Sequence, residues 1–326
     1  MNERHDDVID THEHAYARLT PDCILNALDA VGFAPEAALM PMNSYENRVY
    51  AFRDHEQHKH VVKFYRPERW TCAQIQEEHQ FLFELVEADI PVIAPEQRDG
   101  TSVFEFDSFL FAVFPQCGGR PFESGNPEQL AVMGRTVGRL HACAQVHPFI
   151  ERPILSIDDY VRPALKAMNE CPHFPKHLRE PYQHIATELA DRCHTFLKKL
   201  PDTAWQRTHG DMHPGNLMWS GDGVLIVDFD DCRRAPAVQD LWMLADTIEQ
   251  RAILIDEYEQ FCEFDWSQWR YAEVLRSMRL MQYAGWLAAR WQDPTFPRHF
   301  PWFASEQYFA QHIEQLRDQV QLLEAQ

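Results

Sequence analysis

THGDMHPGNLMWSGDGVLIVDFDD, residues 208–231, sets five carboxylates, one Asn and two His around a short apolar run. VLIV is composed for burial, so the acidic residues beside it are held at the edge of a core. The chain has 12 Gly, and Gly210, Gly215, Gly221 and Gly223 all fall within this stretch. Glycine concentrated in this way marks a backbone that turns tightly, not a helix. HGDMHPGN reads as a loop, LMWS as a strand, SGDG as a turn and VLIVDF as the returning strand. Such a hairpin brings Asp211 and Asn216 close to Asp228.

A carboxylate, an amide oxygen and a second carboxylate form a hard-oxygen set suited to Mg2+ with phosphate. Phosphoryl transfer uses metal-holding oxygens and one further carboxylate facing the acceptor hydroxyl. The spacing D-x-x-x-x-N from Asp211 to Asn216 is that of a protein-kinase catalytic loop, with Asp228 where a metal-binding Asp follows the hairpin. Acids that merely cap surface turns would account for HGD alone. They do not account for the whole order H-G-D-x-x-x-x-N, apolar strand, D-x-D. The expected catalytic residues are therefore Asp211 and Asp228, with Asn216 and Asp228 on the metal.

Composition narrows the setting. With 326 residues, 45% of them hydrophobic, the chain can fill one large or two ordinary domains. A net charge of −20 argues against nucleic acid or an anionic membrane surface as partner. MNERHDDVIDTHEH is polar where a signal peptide would be apolar, and no run approaches the ~20 apolar residues of a membrane helix. The eight cysteines lie singly, without a CxxC pair, as reduced thiols do. The expectation is a soluble, cytoplasmic monomer.

Along the chain, residues 1–20 carry charge without periodicity and read as a flexible tail. Asp22 is the expected N-cap of a helix bearing Ile24, Leu25, Leu28 and Val31 and stopped by Gly32. Strands RVYAF (48–52) and VVKFY (61–65) precede a helix over about 72–88, and TSVFEF and FLFAVF add further strands. CGGR (117–120) marks a hinge. Beyond about residue 128 the pattern is helical, beginning with 129–144, where Leu130, Met133, Val137 and Leu140 share a stripe and Gly134 and Gly138 permit close packing. The predicted domains are thus a β-rich lobe over 21–116 and a helical lobe over 117–326.

HGDMHPGN followed by VDFDD resembles the aminoglycoside phosphotransferase and choline kinase superfamily, whose fold is similar to that of protein kinases. NSYENRVYAF, VVKFYRPERWT, EEHQF, FAVFP, AVQDLWML and DPTFPRHFPWF resemble, more narrowly, the bacterial stress response kinase A family, over about residues 22–305. The resemblance implies an α+β, protein-kinase-like bilobal fold and an ATP- and Mg2+-dependent Ser/Thr protein kinase. Its partners would be ATP and a protein bearing the acceptor Ser or Thr.

Further roles follow from the resemblance. Lys63, on the same strand face as Val61 and Tyr65, is placed on the nucleotide phosphates. Its partner is a Glu on the next helix; of Glu77 and Glu78, the family's Glu seven residues before a core Leu (here Leu85) favours Glu78. Ser44, in MNSYENR, replaces the glycine cradle of protein kinases, and backbone groups from Phe114 to Cys117 meet adenine. Asp240 braces the catalytic loop. His209 reads as a supporting residue and Asp231 as a partner of Arg233 or Arg234, while Asp230 stays open between metal, substrate and salt bridge.

Two clusters stand apart. HEQHKH carries His55, His58 and His60 at metal-compatible spacing, but in a hairpin without a supporting partner it reads as an exposed polar turn. RSMRLMQYAGWLAARW mixes Arg276, Arg279, Tyr283, Trp286, Arg290 and Trp291; it reads as core, with an aromatic cage for a cationic ligand as the other reading. Three functions remain in view: a protein kinase, a kinase of a small hydroxylated metabolite, which the acidic net charge mildly favours, and a binding scaffold. Intact Lys63, Asp211, Asn216 and Asp228 oppose the scaffold.

Overall fold

The computed structural model describes residues 14–221 and 223–325. Its strands are β1 (Met40–Pro41), β2 (Arg48–Arg53), β3 (Lys59–Phe64), β4 (Phe104–Phe106), β5 (Phe109–Pro115), β6 (Arg120–Pro121), β7 (Trp205–Thr208), β8 (Leu217–Ser220), β9 (Gly223–Ile226) and β10 (Arg233–Pro236). The helices are α1 (Pro21–Ala30), α2 (Cys72–Glu87), α3 (Pro127–Ala144), α4 (Arg162–Glu170), α5 (Lys176–Leu197), α6 (Ile248–Tyr258), α7 (Ala272–Ala289), α8 (Thr295–His299) and α9 (Glu306–Glu324). A β-sheet region thus precedes a helical one, as the α+β reading expects.

The N-terminal sheet is antiparallel, in the order β1-β2-β3-β5-β4. Alternation along β3 sorts its two faces. Val62 and Phe64 join Phe111 and Val113 of β5 in a core with Ile24 and Leu28 of α1. Lys63 points the other way, beside Tyr65, and Tyr65 packs with Ile75 of α2 and Ala112.

The start of the chain differs from expectation. Residues 1–13 lie outside the described residues, but 14–20 are no loose tail. Tyr16 and Leu19 are buried in the α1 core, and the Tyr16 hydroxyl donates to the carbonyls of Glu46 and Phe64, each at 3.1 Å. Two apolar side chains among many charges are too sparse to show periodicity. The N-cap of α1 is Thr20, whose Oγ1 accepts from the Cys23 N–H at 3.2 Å; Asp22 lies two positions further on, in the first turn. Pro21 at N1, lacking an N–H and fixed in φ, puts the cap immediately before it.

In the helical region, α3 buries Leu130, Met133, Val137 and Leu140, as the stripe predicts. Gly134 and Gly138 admit the backbone of α6: a Cβ at either would lie 2.4 or 2.5 Å from the carbonyl oxygen of Leu254 or Tyr258. Helix α7 lies against α4, α5 and α9, which anchors the face it turns toward the cleft. Strands β8 and β9 pair Leu217 with Ile226 and Ser220 with Gly223, the hairpin expected from the glycines.

Candidate active site

Strand β7 ends at Thr208, and the loop that follows is held from beneath. Asp240 accepts from the His209 and Gly210 N–H groups, at 2.7 and 2.9 Å, and lies 3.1 Å from His141 Nε2. The His209 ring packs at a tilt against Phe229, donates from Nε2 to the Val227 carbonyl at 2.9 Å and accepts the Asp211 N–H at Nδ1. One tautomer satisfies both contacts. Gly210 has φ +84°, and a Cβ there would lie 2.1 Å from the Asp231 carbonyl oxygen, so no other residue fits.

The two ends of the hairpin meet as expected. Asn216 donates from Nδ2 to the Asp211 carbonyl at 3.0 Å, which leaves its Oδ1 to accept or to coordinate. Its own carbonyl takes the Val227 N–H at 3.0 Å, setting Asn216 beside Asp228. Asp228 adopts a left-handed backbone, φ 64° and ψ 66°, with a carboxylate 53% exposed. For a non-glycine residue this costs roughly 1–2 kcal/mol. The Asn216 amide oxygen and Asp228 carboxylate are hard donors opening on the cleft, a set that fits Mg2+.

Lys63 is 8% exposed, and its ammonium sits 3.2 Å from Asp228 and 3.0 Å from Asp230. Burial works to lower its pKa, but Asp230, Asp228 and Glu78 outweigh it and hold it well above the usual lysine range. Asp230 in turn receives Arg69 at 2.5 Å and is held below the ordinary carboxylate range against its burial, by Arg69 foremost. Glu78 is buried, with Oε2 3.7 Å from Arg152 Nη1, and neither atom has a hydrogen-bond partner. Burial pushes the Glu78 carboxyl up to about 7 despite Lys63 and Arg152. An ammonium held by carboxylates beside unsatisfied buried polar atoms is a cluster with capacity for a further ligand, and its charge fits nucleotide phosphates.

The direct Lys63–Glu78 ion pair expected from sequence is absent among the described residues. Asp230 and Asp228 take the ammonium instead, and Arg152, stacked 4.0 Å from the Trp70 ring centre, faces Glu78. Glu77 turns outward, its carboxylate accepting the N–H groups of Ile150, Glu151 and Arg152 at 2.5–2.9 Å. Asp231 pairs with Arg233 and with Arg69, at 2.6 and 3.0 Å.

Asp211 is bound by Arg279 of α7, and His213 Nε2 lies 3.4 Å from its other oxygen. Burial alone would raise its pKa; the His213 and Arg279 contacts reverse this and keep the carboxyl well below the usual range. Helix α7 therefore sends a guanidinium to the loop, where its sequence had read as core or as an aromatic cage. Further along, Trp286 and Arg290 bind Glu46, Arg290 bidentately at 2.7 and 2.8 Å. Arg48 and Arg66 reach Asp293 at 2.7 and 3.0 Å. These contacts tie the loop before β2 to the helical region. Ser44, half-buried, lies in that loop beside Tyr45, which packs on Phe300. Phe114 pairs with Val61 in the β3–β5 ladder, and the exposed Cys117 follows where the chain leaves the sheet.

The arginines 69, 152 and 279 are what sequence reading missed; each reaches its partner from a distant segment, and no local pattern marks it.

A two-lobed fold with a lysine from the sheet and an Asp–Asn–Asp set from the hairpin defines a kinase-like phosphotransferase. The chain belongs to the phosphotransferase enzyme (APH) family, whose profile matches residues 39–272, and within it to the stress response kinase A proteins. It is 42% identical to stress response kinase A of Escherichia coli (strain K12) over 95% of both chains. It is 40% identical to serine/threonine protein kinase RdoA of Salmonella typhimurium (strain LT2) over 94% of both. Among solved structures, amicoumacin kinase hAmiN in complex with AMP-PNP, Ca2+ and Ami matches with a TM-score of 0.68 at 18% identity, covering 86% of this chain and 88% of that one. Among the described residues no helix is long and apolar enough to cross a membrane.

Proposed function

We propose that this phosphotransferase is an ATP- and Mg2+-dependent Ser/Thr protein kinase, cytoplasmic and monomeric, acting in a bacterial stress response. The observation that carries the chemistry is the convergence of Lys63, Asp228, Asn216 and Asp211 on one cleft. Asn216 Oδ1 and the Asp228 carboxylate would hold the Mg2+, which when bound neutralises charge on the transferred phosphoryl group. Lys63 moves from Asp230 and Asp228 onto the nucleotide phosphates, while Asp230 stays paired with Arg69. Glu78 and Arg152 set the charge behind Lys63. Asp211 orients the acceptor hydroxyl and takes its proton; a carboxylate this acidic acts late, as the oxygen becomes charged. Ser44 and the backbone from Phe114 to Cys117 complete the nucleotide site.

The name of one relative, serine/threonine protein kinase RdoA, supports a protein acceptor. The solved neighbour acts on a small molecule, so a choline-, homoserine- or aminoglycoside-like alcohol is the competing acceptor. Arg279 on Asp211 disfavours its cationic members, because a substrate cation would meet a guanidinium beside the base.

The test is transfer from radiolabelled ATP with Mg2+, offered in parallel to the protein itself, a generic basic protein and a panel of amino alcohols. Label on protein Ser or Thr, lost at least ~10²-fold in Asp211→Ala and Asp228→Ala, is the expected result. Asp228→Ala should also weaken Mg2+-nucleotide binding, and Asp211→Ala should not. Label confined to an amino alcohol would move the chain to the metabolite kinases.

A further inference from the structure

The turn joining β2 to β3 is exposed over residues 55–59, as its sequence implies, but the histidine that follows it is not. His60 belongs to β3, is buried, and stacks on Phe52 at 5.1 Å with Phe33 edge-on at 5.7 Å. Those contacts fix the plane of its ring. Its Nδ1 lies 2.6 Å from Glu96 Oε1, the supporting partner that spacing alone could not reveal. Its Nε2 faces Asp54 Oδ2 at 3.2 Å, and His58 Nδ1 faces that same oxygen at 3.0 Å. The other Asp54 oxygen accepts the His58 N–H at 2.8 Å, so the carboxylate is anchored by the turn itself.

This arrangement has a deficit of positive charge. Glu96 and Asp54 are both acceptors when ionised, and a neutral imidazole donates one proton only. If His60 gives that proton to Glu96, its Nε2 lone pair points at the Asp54 carboxylate. Arg98 relieves Glu96 alone, from 3.4 Å. A cation at the point shared by Nε2, Oδ2 and His58 Nδ1 resolves the conflict, and these three atoms lie within 4.8 Å of one another. Ligands bound about 2.0–2.1 Å from a tetrahedral zinc lie roughly 3.3 Å apart, close to the separations from Asp54 observed here. A carboxylate behind a ligating histidine is the usual outer support of such a centre.

We propose that Asp54, His58 and His60 form a site for a divalent transition metal of the zinc type, with Glu96 orienting His60. Two imidazoles and one carboxylate suit zinc over Mg2+. The site lies on the face of the sheet opposite Lys63, at a turn, and is separate from the hairpin carboxylates. The metal would fasten the β2–β3 turn to the segment carrying Glu96, whose own N–H donates to Val113 of β5.

Co2+, whose absorption reports tetrahedral nitrogen and oxygen ligation, is the probe, added to the full chain in excess Mg2+ so that oxygen-only sites are filled. One equivalent should bind with a visible ligand-field band that Zn2+ displaces. His58→Ala, at an exposed position that leaves the core intact, should weaken binding at least ~10-fold. Asp54→Asn should do the same, and Zn2+ should raise the Tm of the parent chain but not of His58→Ala. Equal Co2+ binding by the parent and His58→Ala would overturn the proposal, as would a band lost only in Asp228→Ala. The three side chains would then share a proton and no metal.

Discussion

Glu78, buried, and Asp211, half-buried, are both carboxyls near cations, yet they are driven in opposite directions. Burial dominates at Glu78, which is raised to about 7; at Asp211 the His213 and Arg279 contacts win. For Glu78 the native state keeps a proton that the unfolded chain has lost between about pH 4.5 and 7. Its contribution to stability is therefore present below that window and fades as pH rises through it. Glu78→Gln should flatten this slope, leave Tm at pH 7.5 equal or higher, and still reduce kcat because Lys63 loses a charge behind it. Thermal melts across the window, paired with turnover, check this; a lower Tm with full kcat would make Glu78 purely structural. Glu77→Gln should do the converse, lowering Tm by loosening 150–152 with kcat kept. For Asp211 the sign is reversed: activity needs the ionised form and is lost as pH falls through its pKa. Arg279→Ala removes a cation that depresses that pKa, so the acid limb of kcat/KM should move to higher pH. A limb that stays in place would show that Arg279 does not govern the base.

The segment from Asp228 to Asp240 is short and contains no Ser, Thr or Tyr. Strand β10 pairs with β7, Ala237 to Asp240 are buried, and Asp240 holds the catalytic loop. Nothing in this element is free to be ordered by a phosphate. The enzyme should thus be competent as synthesised: phosphatase-treated protein should show full initial rates with fresh ATP, and a lag would place a switch elsewhere. Asp240→Asn should cost about 2–4 kcal/mol in denaturant melts, since it leaves buried donors with a weaker acceptor, and should impair transfer. The hairpin, the β2 and β3 strands and the extent of α2 were legible in sequence because each rests on a local rule: glycine at tight turns, alternation, 3.6-residue periodicity. Lys63's face followed from alternation alone. Its partner did not. Whether Lys63 meets Glu78 or Asp230 depends on Arg152 reaching Glu78 from far along the chain, and on Arg69 meeting Asp230, 161 residues away. Local pattern carries no record of such meetings.

At the scale of the whole molecule, the two regions are joined on both sides of the cleft. One connection is covalent, through Pro115 and the glycines after Cys117. A second is apolar, with Phe81, Leu82 and Leu85 of α2 sharing the core of the helical region, and a third is ionic, with Glu46 gripped by Arg66, Arg69 and Arg290, and Asp293 by Arg48 and Arg66. Breaking one partner of such a cluster leaves a buried charge uncompensated, a cost of several kcal/mol. The cleft should therefore open rarely, and opening is what a spent nucleotide requires. The consequence is kinetic: the exit of ADP, more than the transfer itself, should set the pace of each cycle. A first turnover faster than those that follow would be its signature in rapid-quench experiments. Glu46→Gln, which weakens the ionic clasp without emptying its space, should diminish that burst and quicken ADP departure. Nucleotide would at the same time be held less tightly, so residence on the enzyme and speed of release would be exchanged through a single carboxylate in the loop before β2.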